Sequence, residues 1–197
     1  VEIVATNFER PWSIAFADER IFVSEKSGKI RVVTSSGLVD SPLIALRTPE
    51  IFGGGLLGLT THPDFENNHF LYAYYTYEEN EKLWNKVIRI TEENNKAIEV
   101  ITTLDKIPGS AFSNGGVIKF GPDGKLYVGT GSISDLLDES QNLDSLAGKI
   151  LRLNDDGTIP FDNPFEDSYI FSYGHRNPTG FAWNMQGIMY ATESGPT

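Results

Sequence analysis

One short pattern recurs along this chain: a strand-like run, a tight turn built from Pro, Asp and Gly, and a second strand-like run. Its clearest copy is Gly116-Val-Ile-Lys-Phe120, the turn Gly121-Pro-Asp-Gly124, and Lys125-Leu-Tyr-Val128. An earlier copy runs from Pro11 to Phe16, turns through Asp18 to Arg20 and continues as Ile21 to Ser24, with Ile30 to Val33 after it. Another starts at Gly55-Leu-Leu-Gly-Leu59, turns through His62 to Asn68 and continues as Phe70 to Tyr75, answered by Lys86 to Ile90. A last copy opens at Thr179 to Trp183, turns at Met185 to Gly187 and gives Ile188 to Ala191. Alternating apolar residues bounded by Pro, Asp and Gly define strands and hairpins. Successive units begin roughly 45 to 65 residues apart, the period of a propeller blade. The expectation is an all-β chain, a β-propeller of four-stranded antiparallel blades. A β-sandwich is the competing arrangement, but it does not predict the same motif order unit after unit.

Propellers close with about four to eight blades. Residues 1–197 read as a single partial β-propeller domain of about three and a half blades. Such a sheet has an open edge, which needs missing C-terminal blades or a partner chain to close it. The first residue is Val rather than Met, as in a processed or trimmed chain, and no signal peptide is visible. Helical signal is weak. Asp135 to Leu146, with Asp135 or Asp138 as the cap, reads as a turn or short helix between two strands of the third unit.

Composition narrows the function classes. A net charge of −11 argues against nucleic acid and against anionic membrane surfaces. No apolar run reaches the roughly 20 residues of a membrane-spanning helix. There is no cysteine, so neither disulfides nor thiolate metal sites can form, and the compartment is left open.

The most chemically loaded stretch is Tyr173-Gly-His-Arg-Asn-Pro178. Proline disfavours helix at the residue before it, so Asn177 belongs in an extended or turn conformation at a strand end. A guanidinium beside an amide suits a planar anionic ligand. The same pair could equally cap loop carbonyls. Of the histidines, His62 sits in a His-Pro-Asp-Phe turn and reads as structural. His69 reads as a solvated turn residue, and His175 lies nearest the loaded loop.

These residues carry a resemblance. Pro11-Trp12, Gly55-Leu-Leu-Gly-Leu with His62-Pro-Asp-Phe65, and Gly115-Gly followed by Phe120-Gly-Pro-Asp-Gly-Lys-Leu-Tyr127 come in one order. Leu146-Ala-Gly-Lys-Ile-Leu-Arg152, Asp162-Asn-Pro-Phe165, Tyr173 to Pro178, and Glu193 with Gly195-Pro196 continue it. The ordered series resembles the soluble quinoprotein glucose dehydrogenases and aldose sugar dehydrogenases, the glucose/sorbosone dehydrogenase family. That family has a six-bladed propeller, and this chain resembles its N-terminal half or slightly more.

The resemblance implies oxidoreductase chemistry: oxidation of an aldose sugar to a lactone with pyrroloquinoline quinone (PQQ) and calcium, in a periplasmic or extracellular setting. It places Arg176 and Asn177 at the cofactor, with Ser194 beside them, and the carbonyls of Gly195 and Pro196 on calcium. The catalytic positions are substituted. Ser113 stands where the family has its histidine base, Ser132 where a carboxylate supports that base, and Gly53 where Gln or Glu is usual. A serine hydroxyl without a partner base does not take a proton at neutral pH. A second reading therefore stands beside the first: a non-catalytic propeller module that binds a sugar or a protein, as some relatives in the family do. A hydrolase or lactonase propeller fits less well, because such sites need carboxylates or histidines converging on a metal.

Overall fold

The computed structural model describes residues 1–133 and 137–195. The chain is all-β, laid out as successive antiparallel sheets. The first blade holds β1 (Pro11–Ala17), β2 (Arg20–Glu25), β3 (Lys29–Thr34), and two short outer pieces, β4 (Gly37–Leu38) and β5 (Ile44–Ala45), which both pair with β3. The second is β6 (Leu56–Thr61), β7 (Phe70–Glu79), β8 (Lys82–Glu93) and β9 (Lys96–Pro108). The third is β10 (Gly115–Phe120), β11 (Leu126–Thr130), β12 (Lys149–Leu153) and β13 (Ile170–Tyr173). The hairpin of β14 (Pro178–Trp183) and β15 (Met189–Glu193) begins a fourth.

Alternation along the strands builds the core between blades. In β7, Leu71 and Ala73 pack toward the first blade with Phe22, Ile30 and Val32. Their neighbours Tyr72 and Tyr74 pack toward the third blade with Ile118, Leu126 and Val128. The third blade repeats this: Leu126 and Val128 face the second blade, while Tyr127 and Ile150 meet Phe181 of the fourth. Successive strand residues point to opposite faces, so each inner blade is covered on both sides, the signature of a propeller. The two outermost faces expose apolar side chains: Trp12, Ile14 and Phe16 on β1, and Tyr190 on β15.

The turn of the third unit forms as its sequence requires. Gly124, with φ of 73°, donates its N–H to the Gly121 carbonyl at 3.0 Å. Asp123 in that turn accepts from the Tyr127 hydroxyl at 2.9 Å and from Arg152 Nε at 3.0 Å, and Arg152 grips Asp162 through two further nitrogens. The conspicuous motif residues of this blade thus hold its outer edge together.

Two elements differ from the sequence expectation. Strands β7 and β8 run well beyond Tyr75 and Lys86, because Asn80 and Glu81 both adopt positive φ and close a tight two-residue hairpin. His62 to Asn68 contains one helical turn, α1 (Phe65–Asn68), ended by His69 at φ 56°. In the expected excursion of the third unit, a 3₁₀ turn spans Leu137–Ser140, and Asp135 lies outside the described residues. Among the described residues no helix is long and apolar enough to cross a membrane.

Candidate functional site

A cavity of about 1010 Å³ opens where the innermost strands of the four blades begin. Each blade contributes from the same place in its unit. Trp12 comes from the start of β1, Gly53 from the loop before β6, Asn114 from the loop before β10, and Asn177 from the residue before β14. Repetition of one unit around an axis brings residues distant in sequence to one mouth.

Asn114 organises the floor. It is 1% exposed, and its side chain makes four hydrogen bonds. Its Nδ2 donates to the carbonyls of Gly53 at 2.9 Å and Ser110 at 2.7 Å. Its Oδ1 accepts from Asn85 Nδ2 at 3.0 Å and from the Ser110 N–H at 2.9 Å. The buried Tyr74 hydroxyl donates to the Asn114 carbonyl at 2.8 Å. Burial pushes that phenol well above its ordinary pKa, so it stays a donor. Sequence reasoning credited Asn114 only with the backbone path; its signal was a polar residue ahead of a Gly-Gly pair whose residues both take positive φ.

Asn177 ties the third blade to the fourth. Its Oδ1 accepts the Gly115 N–H at 2.8 Å, and its carbonyl accepts the Ser194 N–H at 3.1 Å. Its Nδ2 makes no hydrogen bond among the described residues, and the residue lines the cavity. Arg176 points elsewhere. Its Nη1 donates to the carbonyls of Gly195 at 2.7 Å and Ser194 at 3.3 Å, and its N–H to Glu193 at 3.0 Å. His175 braces the same loop, with Nε2 2.8 Å from the Ser172 hydroxyl and Nδ1 3.5 Å from Glu193. His62 packs its ring on Phe120, and its Nδ1 accepts the Asp64 N–H at 2.9 Å.

Ser113 and Ser132 are not among the lining residues, although Phe112 and Asn114 on either side of Ser113 are. The Ser113 backbone is held by the Ser110 hydroxyl at 2.8 and 3.0 Å, and its own hydroxyl has no base partner among the described residues. Ser132 is buried, and its N–H donates to the Arg176 carbonyl at 2.7 Å. At Gly53 a Cβ would fall 2.2 Å from the Phe112 carbonyl oxygen, so the two loops touch through bare backbone. Pro196 lies outside the described residues.

Several lining residues went unread in the sequence: Arg10, Lys26, Phe52 and Phe112. Phe52 and Phe112 are 82% and 66% exposed, with ring centroids 6.4 Å apart. Large apolar residues in loops otherwise rich in Gly and Ser were the available clue. The Lys26 ammonium lies 4.7 Å from the Trp12 ring centre. Burial, and then the charge of Arg10, hold it below the ordinary lysine pKa.

The cavity's chemistry fits a planar polycarboxylate such as PQQ. Exposed rings offer stacking, and Asn177 Nδ2, Arg10 and Lys26 offer donors. Of the two carbonyls expected on calcium, the described one, Gly195, is already engaged. The Ser194 and Gly195 carbonyls already hold a guanidinium, and no group of three His, Cys, Asp or Glu side chains converges among the described residues. A dication needs several oxygen ligands and would be repelled by Arg176.

Residues 8–197 match the family described as Glucose / Sorbosone dehydrogenase. The chain belongs to that family. As a glucose/sorbosone dehydrogenase relative, it is 31% identical over 232 residues to quinoprotein glucose dehydrogenase B of Acinetobacter calcoaceticus, covering 99% of this chain and 48% of that one. The PQQ-bound aldose sugar dehydrogenase from Streptomyces coelicolor superimposes with a TM-score of 0.87 at 34% identity, over 100% of this chain and 60% of that one. Mouse hedgehog-interacting protein is 28% identical over 90% of this chain and 31% of its own length. The chain thus spans about half the length of the quinoprotein relative.

Proposed function

We propose that this chain forms the cofactor- and sugar-facing part of a quinoprotein propeller that oxidises aldose sugars to lactones with PQQ. The observation that carries the proposal is the cavity at the inner strand ends, walled by Asn177 and by exposed rings, in a chain of this family. Bound PQQ would supply the acceptor for the hydride leaving the sugar's anomeric carbon. The chain's own residues bind and orient: Asn177 Nδ2 donates to a ligand oxygen while its Oδ1 stays anchored on Gly115. Trp12, Phe52 and Phe112 offer flat faces and exclude water. The proton of the anomeric hydroxyl finds no imidazole, since no histidine is among the residues that line the cavity. General-base help is worth about 10² to 10⁴-fold, so oxidation by this chain is slow by that margin.

A second reading is favoured by one specific observation: Gly53, Ser113, Ser132 and Ser194 together offer no titratable group. A propeller module that binds a sugar or a protein without turnover fits them, and the likeness to hedgehog-interacting protein supports it. Two measurements separate the readings. PQQ in excess should raise the melting temperature, because a ligand of the native state stabilises it. Glucose should then reduce an electron-accepting dye in a PQQ-dependent way. A melting shift without dye reduction leaves the binding module; no shift with PQQ removes the quinoprotein reading.

A further inference from the structure

We propose that Arg10 and Lys26 form a carboxylate-binding subsite at the cavity mouth, and that the preferred sugar is anionic, a hexuronic acid. This rests on the reading of the cavity as a sugar site. Arg10 precedes β1 and Lys26 follows β2, and the Lys26 N–H donates to the Arg10 carbonyl at 3.1 Å. The two residues are therefore neighbours across the strand pair, the charge of Arg10 is felt at Lys26, and both line the cavity.

Neither is neutralised. No ion pair among the described residues includes Arg10 or Lys26. Glu9 is taken by Lys29 at 3.1 Å. Glu50 lines the same cavity but lies beyond ion-pair distance of both. The Arg10 guanidinium makes no hydrogen bond among the described residues, and the Lys26 ammonium donates only to the Phe52 carbonyl. Two of its three N–H groups are left for a ligand. In a chain of net charge −11, two cations that meet no carboxylate within ion-pair distance are open to an incoming anion.

The surroundings specify more than an anion. The ammonium sits over Trp12 and beside Phe52, at 4.7 and 5.8 Å from their ring centres. A pyranose ring stacked on these exposed faces would carry a carboxylate at its exocyclic carbon toward the two cations. Free phosphate or acetate would use the cations but not the rings. The carboxylates of PQQ share the required chemistry, so the test must tell sugar carboxylate from cofactor carboxylate.

The test is a binding titration of the chain with D-glucuronate, D-glucose and PQQ, read by calorimetry. D-Glucuronate should bind at least about tenfold tighter than D-glucose at low salt, the gain typical of a charge-assisted contact. That ratio should fall toward one at high salt, a readout that needs no variant. In the double variant Arg10→Gln, Lys26→Met, checked for an unchanged melting transition, the ratio should also fall to about one. Equal binding of the two sugars by the wild type overturns this inference and leaves the sugar reading standing. A glucuronate preference that survives the double variant, with PQQ binding lost, assigns the cations to the cofactor and overturns it as well. Binding of neither sugar sinks the sugar reading itself and the subsite with it.

Discussion

Asn114 Nδ2 donates to the Gly53 carbonyl at 2.9 Å, and this bond ties the loop before β6 to the loop before β10 across a blade boundary. The contact is buried at one end and reaches the cavity at the other, so it sets where Phe52 and Phe112 stand.

Asn114→Ala should cost about 3 kcal/mol, because the buried Ser110 N–H and Asn85 amide lose their acceptor. Asn114→Asp should also destabilise, since a carboxylate cannot donate to Gly53 and Ser110. Urea unfolding should show a lower midpoint at unchanged slope. A loss below about 0.5 kcal/mol would mean that water replaces the side chain.

Gly53→Gln, the change that would restore the family's usual residue, should be harmful by itself. Its Cβ would meet the Phe112 backbone at 2.2 Å, and backbone yields less readily than a side-chain tip. Overpacking of this kind costs about 1 to 3 kcal/mol. An unchanged melting temperature in Gly53→Ala would show that the 111–113 loop moves freely.

Ser113→His alone should give little PQQ-dependent dye reduction, because nothing orients the new ring. Adding Ser132→Asp supplies a carboxylate from the neighbouring loop, and the pair should exceed the single change by about 10-fold or more. Equal rates for the two variants would place residue 132 too far away to act.

Arg176 predicts the calcium response. Its guanidinium occupies the Ser194 and Gly195 carbonyls, so millimolar calcium should leave the wild-type melting temperature unchanged. Arg176→Ala frees both oxygens and should acquire a calcium-dependent shift. A wild-type shift as large as the variant's would refute the competition between the two cations.

Lys149 predicts a pH dependence. Its buried ammonium donates to the carbonyls of Glu139, Ser140 and Ala147 at 2.9, 3.0 and 2.6 Å, and burial lowers its pKa to about 8. Between that value and the unfolded lysine's ordinary one, the unfolded chain binds more protons, so this residue's contribution to stability rises with pH. Lys149→Met should destabilise at pH 7 by roughly 2 to 3 kcal/mol, and its deficit relative to wild type should widen by roughly 1 to 2 kcal/mol at pH 9.5. A deficit that shrinks as pH rises would mean that the charged form, held by three carbonyls, is the stabilising one.

Blades were legible in the sequence because their determinants are local. Alternation in Leu71 to Tyr74 and the turn Gly121-Pro-Asp-Gly124 specify strands and hairpins from nearest neighbours alone, and repetition then specifies a propeller. The ordered motifs carried the family, although residues such as Asp123, Lys149 and Arg152 turned out to brace backbone and blade edges. The cavity was not legible. Arg10, Lys26, Phe52 and Phe112 sit in loops with no periodic pattern, and they become neighbours only when separate blades dock through their buried faces. Which way a side chain turns was decided there too. Arg176 and Asn177 are adjacent in sequence, yet one grips the Ser194 and Gly195 carbonyls and the other lines the cavity. That choice depends on the Gly115 N–H donor of β10 and on the carbonyl acceptors just after β15, and only the tertiary fold brings them within hydrogen-bonding distance.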